Sequence, residues 1–371
     1  MISVDNMKNP AKMKSMIRIY IIVPVFNTYE YLSKCIDSVL EEKKIEFKLI
    51  LIDDGSTDGS GRVCDQYANI DNRVTVIHQS NKGQIIARQE GIKYVTTQCN
   101  PKNCDVVMFL DSDDTLKKNA LTEVNRIMNK LSIDMMIFGM DRVSDGNIVI
   151  PYDTVGRYNG VIEKKQDLYR IVFNDWTYNP VCAKAIRISL LENDNYDEYS
   201  DVRYGEDLIQ SLEYYKRSKK VFFYNKSLYN YTINPNSVTQ TINARTYSVD
   251  FIVRQKVMEF LIKENVFDTK DWKQYQTFCM WLIADMLRTI CLLNVRLGEK
   301  VKLIKEMRSS EYYCRYLQNR DYNRLNDWWS RFSCLLFSKR CIFIIAIVGS
   351  LYKKIRELRN KIREVLTRSD D

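Results

Sequence analysis

The alternation of apolar runs with amphipathic stretches over the first 140 residues limits the fold more than any other feature of the chain. Five runs rich in Val, Ile, Leu and Phe predict strands covered on both faces: 17–25, 47–53, 73–78, 105–111 and 133–140. Segments with the apolar spacing of helices lie between them: 28–42, 60–68, 83–95 and 120–131. This alternation predicts an α/β fold with a mostly parallel central sheet and flanking helices.

The pattern changes after residue 140, and the change divides the chain. Residues 141–240 are mixed and rich in Tyr and Asn, with a helix candidate at 205–220, whereas residues beyond 245 have a mainly helical pattern. We therefore predict a C-terminal helical extension after the α/β domain. The predicted parts are an extension at 1–16, a domain at 17–240 with halves 17–140 and 141–240, a helical region at 241–332 and a tail at 333–371.

Charge and cysteine content exclude some classes of protein. The net charge is +9, but residues 331–371 hold ten basic and four acidic residues, and the remainder is nearly neutral. We therefore expect no nucleic-acid partner. The ten Cys form no CxxC pair or regular framework, which indicates reduced thiols and a cytoplasmic protein. The N-terminus has no apolar core of a signal peptide.

Carboxylates stand at the end of the fourth predicted strand, in "MFLDSDDTL" (108–116). If this segment is extended, Asp111 and Asp113 face one cleft while Ser112 faces away. Two carboxylates in one cleft suit an oxygen-seeking divalent ion such as Mg²⁺ or Mn²⁺. The alternative is a solvated acidic turn in which Asp114 caps the following helix.

A second acidic pair follows the second predicted strand, in "LIDDGSTDGS" (51–60). Asp53 and Asp54 lead into a Gly/Ser turn, and a carboxylate there could accept a hydrogen bond from a ligand N–H such as the imide of uracil. The alternative is an ordinary turn in which Asp58 or Ser60 caps the helix.

The segment "NKGQIIARQEGI" (81–92) follows the third predicted strand. Gly83 permits a tight turn into a helix whose N-terminus, together with Lys82, could meet phosphate. The alternative is a plain loop followed by a core helix. Arg88 could reach Asp54 or Asp111, or lie on the surface.

Glu206 and Asp207 open the predicted helix at 205–220. Carboxylates in the first turn of a helix are favoured by the helix dipole without any function. The functional alternative is a general base that takes a proton from an attacking hydroxyl.

Together, the order and spacing of these motifs resemble the family 2 glycosyltransferases, an inverting group with a nucleotide-sugar-binding α/β domain called the GT-A fold. The resemblance is of the bacterial surface-polysaccharide type and covers roughly residues 17–240. The matching segments are "IIVPVFN" (21–27), "LIDDGSTDGS" (51–60), "NKGQIIARQEG" (81–91), "MFLDSDD" (108–114) and "GEDL" (205–208).

The resemblance implies a role for each matching residue of the donor site. Pro24, Phe26 and Asn27 line the base pocket, Asp54 hydrogen-bonds the uracil ring, and Asp53 braces the turn. Further nucleotide-sugar-binding residues are Lys82, Gly83, Arg88, Asp111 and Ser112.

The resemblance also implies the catalytic groups. Asp111 and Asp113 form the family's DxD motif, in which Asp113 binds Mn²⁺ or Mg²⁺ and Asp111 meets the ribose or shares the metal. Asp114 is expected to be a helix cap or an indirect partner. Asp207 is the expected general base, with Glu206 as its substitute.

The implied partners are a UDP-sugar donor and a hydroxyl of a glycan or lipid-linked saccharide acceptor. The apolar run at 341–349 is too short to span a membrane, and a basic amphipathic segment follows it. We therefore expect peripheral attachment to an anionic membrane at the inner face of the cell membrane. The alternative is a tail that packs on its own domain or on a partner.

Two other classes of function remain open. "FLDSDDTL" is close to the DxDGT motif of haloacid-dehalogenase-like phosphatases, with Asp111 as nucleophile and Asp113 as acid/base, but Asp114 stands where those enzymes have Gly. The second is a non-catalytic scaffold of the same fold.

Overall fold

The computed structural model describes residues 17–144, 147–151, 158–192, 196–199, 202, 205–234, 244–310, 313–314 and 322–351, with backbone alone at 176, 244–251 and 322. The predicted extension at 1–16 and the basic end of the tail at 352–371 lie outside these residues. The chain forms two compact units that divide between Ile242 and Asn243.

The first unit is an α/β sheet with its helices, and its elements follow the order β1–α1–β2–α2–β3–α3–β4–β5–α4–β6–β7–β8–α5–β9–α6–β10. The strands are β1 Ile19–Val25, β2 Phe47–Asp53, β3 Val74–His78, β4 Val106–Phe109, β5 Thr115–Leu116, β6 Met135–Ser144, β7 Asn147–Ile150, β8 Gly160–Ile162, β9 Lys184–Arg187 and β10 Val221–Thr232. The helices are α1 Tyr29–Leu40, α2 Ser60–Ile70, α3 Gln84–Gln98, α4 Ala120–Leu131, α5 Lys165–Phe173 and α6 Glu206–Arg217.

The sheet has the strand order β3–β2–β1–β4–β9–β6–β10–β5, with β7 paired to β6 and β8 paired to β10. The strands from β3 to β4 are parallel, as the alternation predicts. Beyond them the sheet is mixed, because β9 is antiparallel to both β4 and β6. All seven residues of β1 are buried, which fits a strand covered on both faces.

One strand boundary differs from the prediction and alters the argument about the acidic residues. The predicted strand 105–111 ends as β4 at Phe109, and the amide of Asp114 donates to the carbonyl of Asp111 at 3.0 Å. The four residues 111–114 therefore form a turn, and strand alternation does not orient Asp111 and Asp113.

The second unit is helical, as predicted. Its helices are α7 Ala244–Glu264, α8 Thr269–Leu292, α9 Leu297–Ser309 and α10 Trp328–Ser338, followed by helical residues 342–351. The predicted boundary at 333 falls inside α10. Among the described helices, none combines the length and apolar content needed to cross a membrane.

The apolar run of the predicted tail packs partly onto this unit. Ile345 and Ala346 are buried, and a Cβ atom at Gly349 would lie 2.3 Å from Sγ of Cys291 on α8, so the two helices touch closely there. Phe343 and Ile344 are exposed. One face of the run therefore packs on its own unit and the other faces outward.

Candidate active site

The turn after β4 places Asp111 at the carboxyl edge of the parallel strands, where ligands of such sheets bind. Oδ1 of Asp111 accepts hydrogen bonds from Nε2 of Gln84 at 2.7 Å and Nη2 of Arg88 at 2.8 Å. Its backbone N–H donates to the hydroxyl oxygen of Tyr229 at 3.1 Å. Residues of α3 and β10 therefore fix Asp111 from two sides.

Arg88 joins the two acidic motifs of the sequence. Its side chain is fully buried, and its Nη1 donates to Oδ1 of Asp207 while Nη2 donates to Asp111. Burial acts against the charged guanidinium, but Asp207 and Asp111 offset it, so the pKa of Arg88 lies well above its ordinary value. The structure thus selects Asp111 from the alternatives that the sequence left open for Arg88 and adds Asp207 as a second partner.

Asp207 lies in the first turn of α6, next to Gly205, whose φ of +80° suits glycine. Its Oδ2 accepts a hydrogen bond from the backbone N–H of Val181 at 3.1 Å. The side chain retains 21% exposure, so a ligand can approach the carboxylate. This geometry suits an oriented proton acceptor.

Glu206, the predicted substitute for Asp207, is buried at the same helix start. Burial and, after it, the neighbouring charge of Asp207 raise the pKa of its carboxyl to about 7. Because Glu206 is buried, an acceptor hydroxyl has less access to it than to the partly exposed Asp207.

Asp113 and Asp114 have different environments. Oδ2 of Asp113 lies 3.4 Å from Nδ2 of Asn234, and burial together with the charge of Asp111 raises the pKa of its carboxyl. Asp114 is buried and accepts hydrogen bonds from the hydroxyl of Tyr229 and the amide of Thr232, both at 2.7 Å. Asp114 therefore ties the turn to β10, and the prediction that it caps a helix is wrong.

The side chain of Ser112 has its partner at the start of α1. It is buried, and its hydroxyl accepts a hydrogen bond from Oγ1 of Thr28 at 2.9 Å. A direct contact of this side chain with a nucleotide sugar stays a prediction.

The predicted base pocket follows β1. Pro24 is buried within the strand, whereas Phe26 is 46% exposed, so its ring is available for stacking. Asn27 has a left-handed φ of +51°, and its Oδ1 accepts a hydrogen bond from the backbone N–H of Thr57 at 2.8 Å. Asn27 thereby joins the loop after β1 to the loop after β2.

Asp54 lies at the N-terminus of α3. Its carboxylate accepts hydrogen bonds from Nε2 of Gln79 at 2.7 Å and from the backbone N–H groups of Lys82 and Gly83 at 2.8 Å each. These amides belong to the segment expected to bind phosphate, so the carboxylate of Asp54 already takes two of the N–H donors that a phosphate would use there. The side chain of Lys82 is exposed.

Asp53 braces the turn after β2, as the resemblance implied. Its Oδ1 accepts from the backbone N–H of Ser56 at 3.0 Å, and its Oδ2 lies 2.8 Å from Nδ1 of His78. Nε2 of His78 lies 3.0 Å from Asp65, so this imidazole links β3 to α2.

The carboxylates of the turn fit a divalent ion bound together with a ligand. Within the part of the chain that the structure describes, no three His, Cys, Asp or Glu residues form a group that could hold a metal. Mg²⁺ is usually held by one or two carboxylates together with substrate phosphates and water, so a full protein cage is not required. Burial and, after it, the charge of Asp111 raise the pKa of Asp113, and a bound cation would favour its ionised form.

Sequence reasoning missed three residues that support the site: Gln84, Tyr229 and Lys184. Gln84 precedes Arg88 by four residues, so helical spacing places both on the face that meets Asp111. Nothing in the sequence near Tyr229 connects it with a turn more than one hundred residues earlier. Lys184 is fully buried in β9, where a charged side chain is unexpected.

Comparisons with known proteins agree with this fold. The family model "Glycosyl transferase family 2" matches residues 20–192. Glycosyltransferase GlyG of Streptococcus pneumoniae is 30% identical over 221 residues, which span 57% of this chain and 70% of GlyG. The chain therefore belongs to glycosyltransferase family 2 and is a glycosyltransferase.

Two further comparisons define the extent of the likeness. The uncharacterized glycosyltransferase EpsJ of Bacillus subtilis is 28% identical over 218 residues, which span 57% of this chain and 60% of EpsJ. The crystal structure of S. aureus TarS 1-349 in complex with UDP-GlcNAc has a TM-score of 0.65 at 15% identity and covers 91% of this chain and 92% of TarS 1-349. The fold is thus the GT-A fold with C-terminal helices.

Proposed function

We propose that this glycosyltransferase moves a sugar from a UDP-sugar to a hydroxyl of a glycan or lipid-linked saccharide, with inversion at the anomeric carbon. The observation that carries the proposal is the pairing of one buried Arg88 with Asp111 at the donor edge and Asp207 on α6. This pairing brings a candidate donor-binding acid and a candidate base together at one edge of the sheet. The TarS structures in complex with UDP-GlcNAc and with UDP support the choice of nucleotide.

Asp207 is the proposed general base. Arg88 and the amide of Val181 hold its two oxygens in place, and its partial exposure leaves room for an acceptor hydroxyl. The carboxylate takes the hydroxyl proton as the oxygen attacks the anomeric carbon from the face opposite the nucleotide. Because a single displacement completes the transfer, no protein nucleophile is needed.

Asp113, with Asp111 beside it, is the proposed site for Mn²⁺ or Mg²⁺. When bound, the ion would stabilise the negative charge that develops on the diphosphate leaving group. Asp114 keeps the turn in place through Tyr229 and Thr232. After β1, the exposed ring of Phe26 is proposed to stack on the nucleotide base, and Asn27 orders the loop that carries Phe26.

The most informative test measures UDP release from a panel of UDP-sugars with Mn²⁺ and a saccharide acceptor. Calorimetry of UDP binding, with and without Mn²⁺, separates donor binding from transfer. We expect Asp113→Ala to remove the metal-dependent part of UDP binding. We expect Asp207→Asn to bind UDP within about twofold of wild type but to lower kcat by about 10²- to 10⁴-fold, as for loss of a general base.

Matched variants control for loss of a surface carboxylate. Asp167→Ala removes an acid that pairs with Arg170 on the surface of α5, and Glu213→Gln changes an acid on the same helix as Asp207. Both should retain wild-type binding and transfer. A fully active Asp207→Asn enzyme would contradict the assigned base, and a wild-type protein that binds no UDP would contradict the donor.

We further propose that the second unit attaches the enzyme to the anionic inner face of the cell membrane, where a lipid-linked acceptor would lie. Support comes from exposed apolar side chains on the last described helices, including Trp328, Phe343 and Ile344, and from the excess of basic residues in 331–371.

A further inference from the structure

Lys184 is a buried cation that the proposed transfer does not yet use. It opens β9, its side chain is fully buried, and its Nζ donates to three consecutive backbone carbonyls. The acceptors are Tyr178 at 2.8 Å, Asn179 at 3.2 Å and Pro180 at 2.6 Å. The amino group of Lys184 therefore binds three carbonyls of a single loop.

This loop ends at the residue that holds Asp207. Val181 follows Pro180 directly, and its backbone N–H donates to Oδ2 of Asp207 at 3.1 Å. The hydroxyl of Tyr215 on α6 adds a 2.8 Å hydrogen bond to the carbonyl of Tyr178. The position of the Val181 amide therefore depends on a loop that Lys184 closes.

Removing the ammonium would take away the donor that the three carbonyls share. Each carbonyl would keep one hydrogen bond, from the hydroxyl of Tyr215 to Tyr178, from the hydroxyl of Ser211 to Asn179 at 3.5 Å and from the amide of Ala183 to Pro180 at 3.4 Å. The loop would lose the contact that joins its three carbonyls, and we expect the amide of Val181 to shift with it. Burial lowers the pKa of Lys184 to about 7, and the charge of Asp207 acts in the opposite direction, so the two groups interact within the protein interior.

We propose that Lys184 is a positioning residue for the transfer: it holds loop 178–181 so that the amide of Val181 orients Asp207 for proton acceptance. The inference rests on the proposed function, since it assigns a purpose to the geometry of the proposed base. The charged or titratable groups that act on Lys184 are Asp207, Cys182 and Arg88.

The test compares Lys184→Met with Lys165→Met in the full chain. Lys165 provides a matched control, because its Nζ also donates to three backbone carbonyls, those of Tyr215, Lys216 and Ser218 at the opposite end of α6. We expect Lys184→Met to lower kcat by about 10- to 100-fold while the KM for the UDP-sugar and the Kd of UDP stay within about twofold. Lys165→Met should retain the wild-type kcat.

Two readouts separate positioning from a general loss of stability. The acid limb of the kcat–pH profile should change in Lys184→Met, because a buried group whose pKa lies at about 7 is removed. Hydrogen exchange should become faster in peptides covering 178–183. Lys165→Met should change neither readout.

A second variant removes the proposed hydrogen bond directly and avoids a buried charge change. Val181→Pro deletes the N–H that donates to Asp207, and Val181 opens the short 3₁₀ turn Val181–Ala183, a position that tolerates proline. Pro180 has φ −56° and ψ 126°, which is the conformation favoured before proline. We expect the same loss of kcat with unchanged UDP binding.

The outcomes distinguish this inference from the proposed function. If wild type transfers sugar and both Lys184→Met and Val181→Pro keep its kcat, the positioning role is overturned and the proposed function stands. The same holds if exchange rises in Lys184→Met but kcat and the acid limb do not change. If wild type releases no UDP from any donor, the proposed function fails and the positioning role fails with it.

Discussion

Arg88 pairs with both acids of the proposed site. A buried guanidinium is costly to desolvate, and it stays charged here because carboxylates contact two of its nitrogens. The planar fork of arginine serves two acids at once, which the single ammonium of lysine does with less geometric control. Its Nε finds no partner among the described residues, so both contacts lie at the terminal nitrogens.

At the same scale, Glu206 makes the stability of the protein depend on pH. Its pKa in the folded protein is about 7 against an ordinary value of 4.5. Because folding raises this pKa, the carboxyl of Glu206 contributes fully to stability below about pH 4.5, and this contribution is lost as the pH rises through 7. We expect Glu206→Gln to match wild type near pH 4 and to exceed its free energy of unfolding by about 3 kcal/mol at pH 8.

Urea unfolding followed at both pH values measures this difference. Glu213→Gln, on the same helix but half-exposed, should leave the pH dependence of wild type unchanged. Equal free energies of unfolding for Glu206→Gln and wild type at pH 8 would show that ionising Glu206 does not destabilise the folded protein.

At the scale of elements, the approach of α3 to β1 depends on Gly91. A Cβ atom at this position would lie 2.4 Å from Cγ2 of Ile22, a fully buried residue in the middle of β1. We expect Gly91→Ala to lower the free energy of unfolding by about 1–3 kcal/mol, because overpacking outweighs the better helix propensity of alanine. Thermal or urea unfolding measures the change.

The cause can be isolated with two further variants. Gly298→Ala lies in the first turn of α9, where an added Cβ meets nothing within 4 Å, so it should be neutral or stabilising. Ile22→Ala removes the side-chain atoms that clash, and Gly91→Ala should cost less in that background than in wild type. An additive double variant would argue against the contact as the cause.

The sequence predicted five strands, β1 to β4 and β6, together with α1 to α4 and α6, because buried strands and amphipathic helices have strong periodic patterns. It did not predict β9, where the buried Lys184 and Arg187 hide the apolar character of a four-residue strand. Those charges are tolerated because backbone carbonyls accept their hydrogen bonds, those of Ile133 and Met128 in the case of Arg187. No pattern in the sequence records such contacts.

The residues of the site were predictable from their motifs, but their contacts were not. Arg88 and Asp207 are 119 positions apart, so no spacing rule joins them. The expectation that Asp114 caps a helix fails because α4 begins only at Ala120 and β5, Thr115–Leu116, lies between them. Asp114 instead bonds to Tyr229 and Thr232, which reach the turn through the pairing of β10 with β5.

At the scale of the whole molecule, the second unit exposes large apolar side chains at its C-terminal end. Trp328 and Leu335, seven residues apart, share the outer face of α10, while Trp329 and Phe337 are buried on its other face. In helix 342–351, Phe343 and Ile344 are exposed and Ile345 is buried. The proposed membrane contact therefore consists of Phe343 and Ile344 together with Trp328 and Leu335 of α10, and Trp328 lies outside the predicted tail.

We expect the double variant Phe343→Glu/Ile344→Glu to reduce binding to vesicles that contain anionic lipid, because it replaces apolar area with negative charge on that surface. Co-sedimentation with anionic and with neutral vesicles measures the effect. Point variants are preferable to deletion of 333–371, which would cut α10 and remove the buried Phe337.

Ile252→Glu is the matched control, since Ile252 is an exposed isoleucine of a different helix, α7. It should sediment with anionic vesicles as wild type does, and binding of both should weaken as salt is raised. Unchanged binding of the double variant would remove this surface as the site of attachment.

The shared partner of Asp111 and Asp207 also restricts how the protein can diverge. A substitution at either acid leaves the buried Arg88 with one of its two carboxylates, and a substitution at Arg88 removes the partner that both acids share, so single changes at these positions weaken the pairing. We therefore expect substitutions to be rare at Arg88, Asp111 and Asp207 and to be tolerated in surface loops that do not contact them. Descendants of this chain can acquire new sugars or acceptors by changing those loops while this charge pairing is inherited intact.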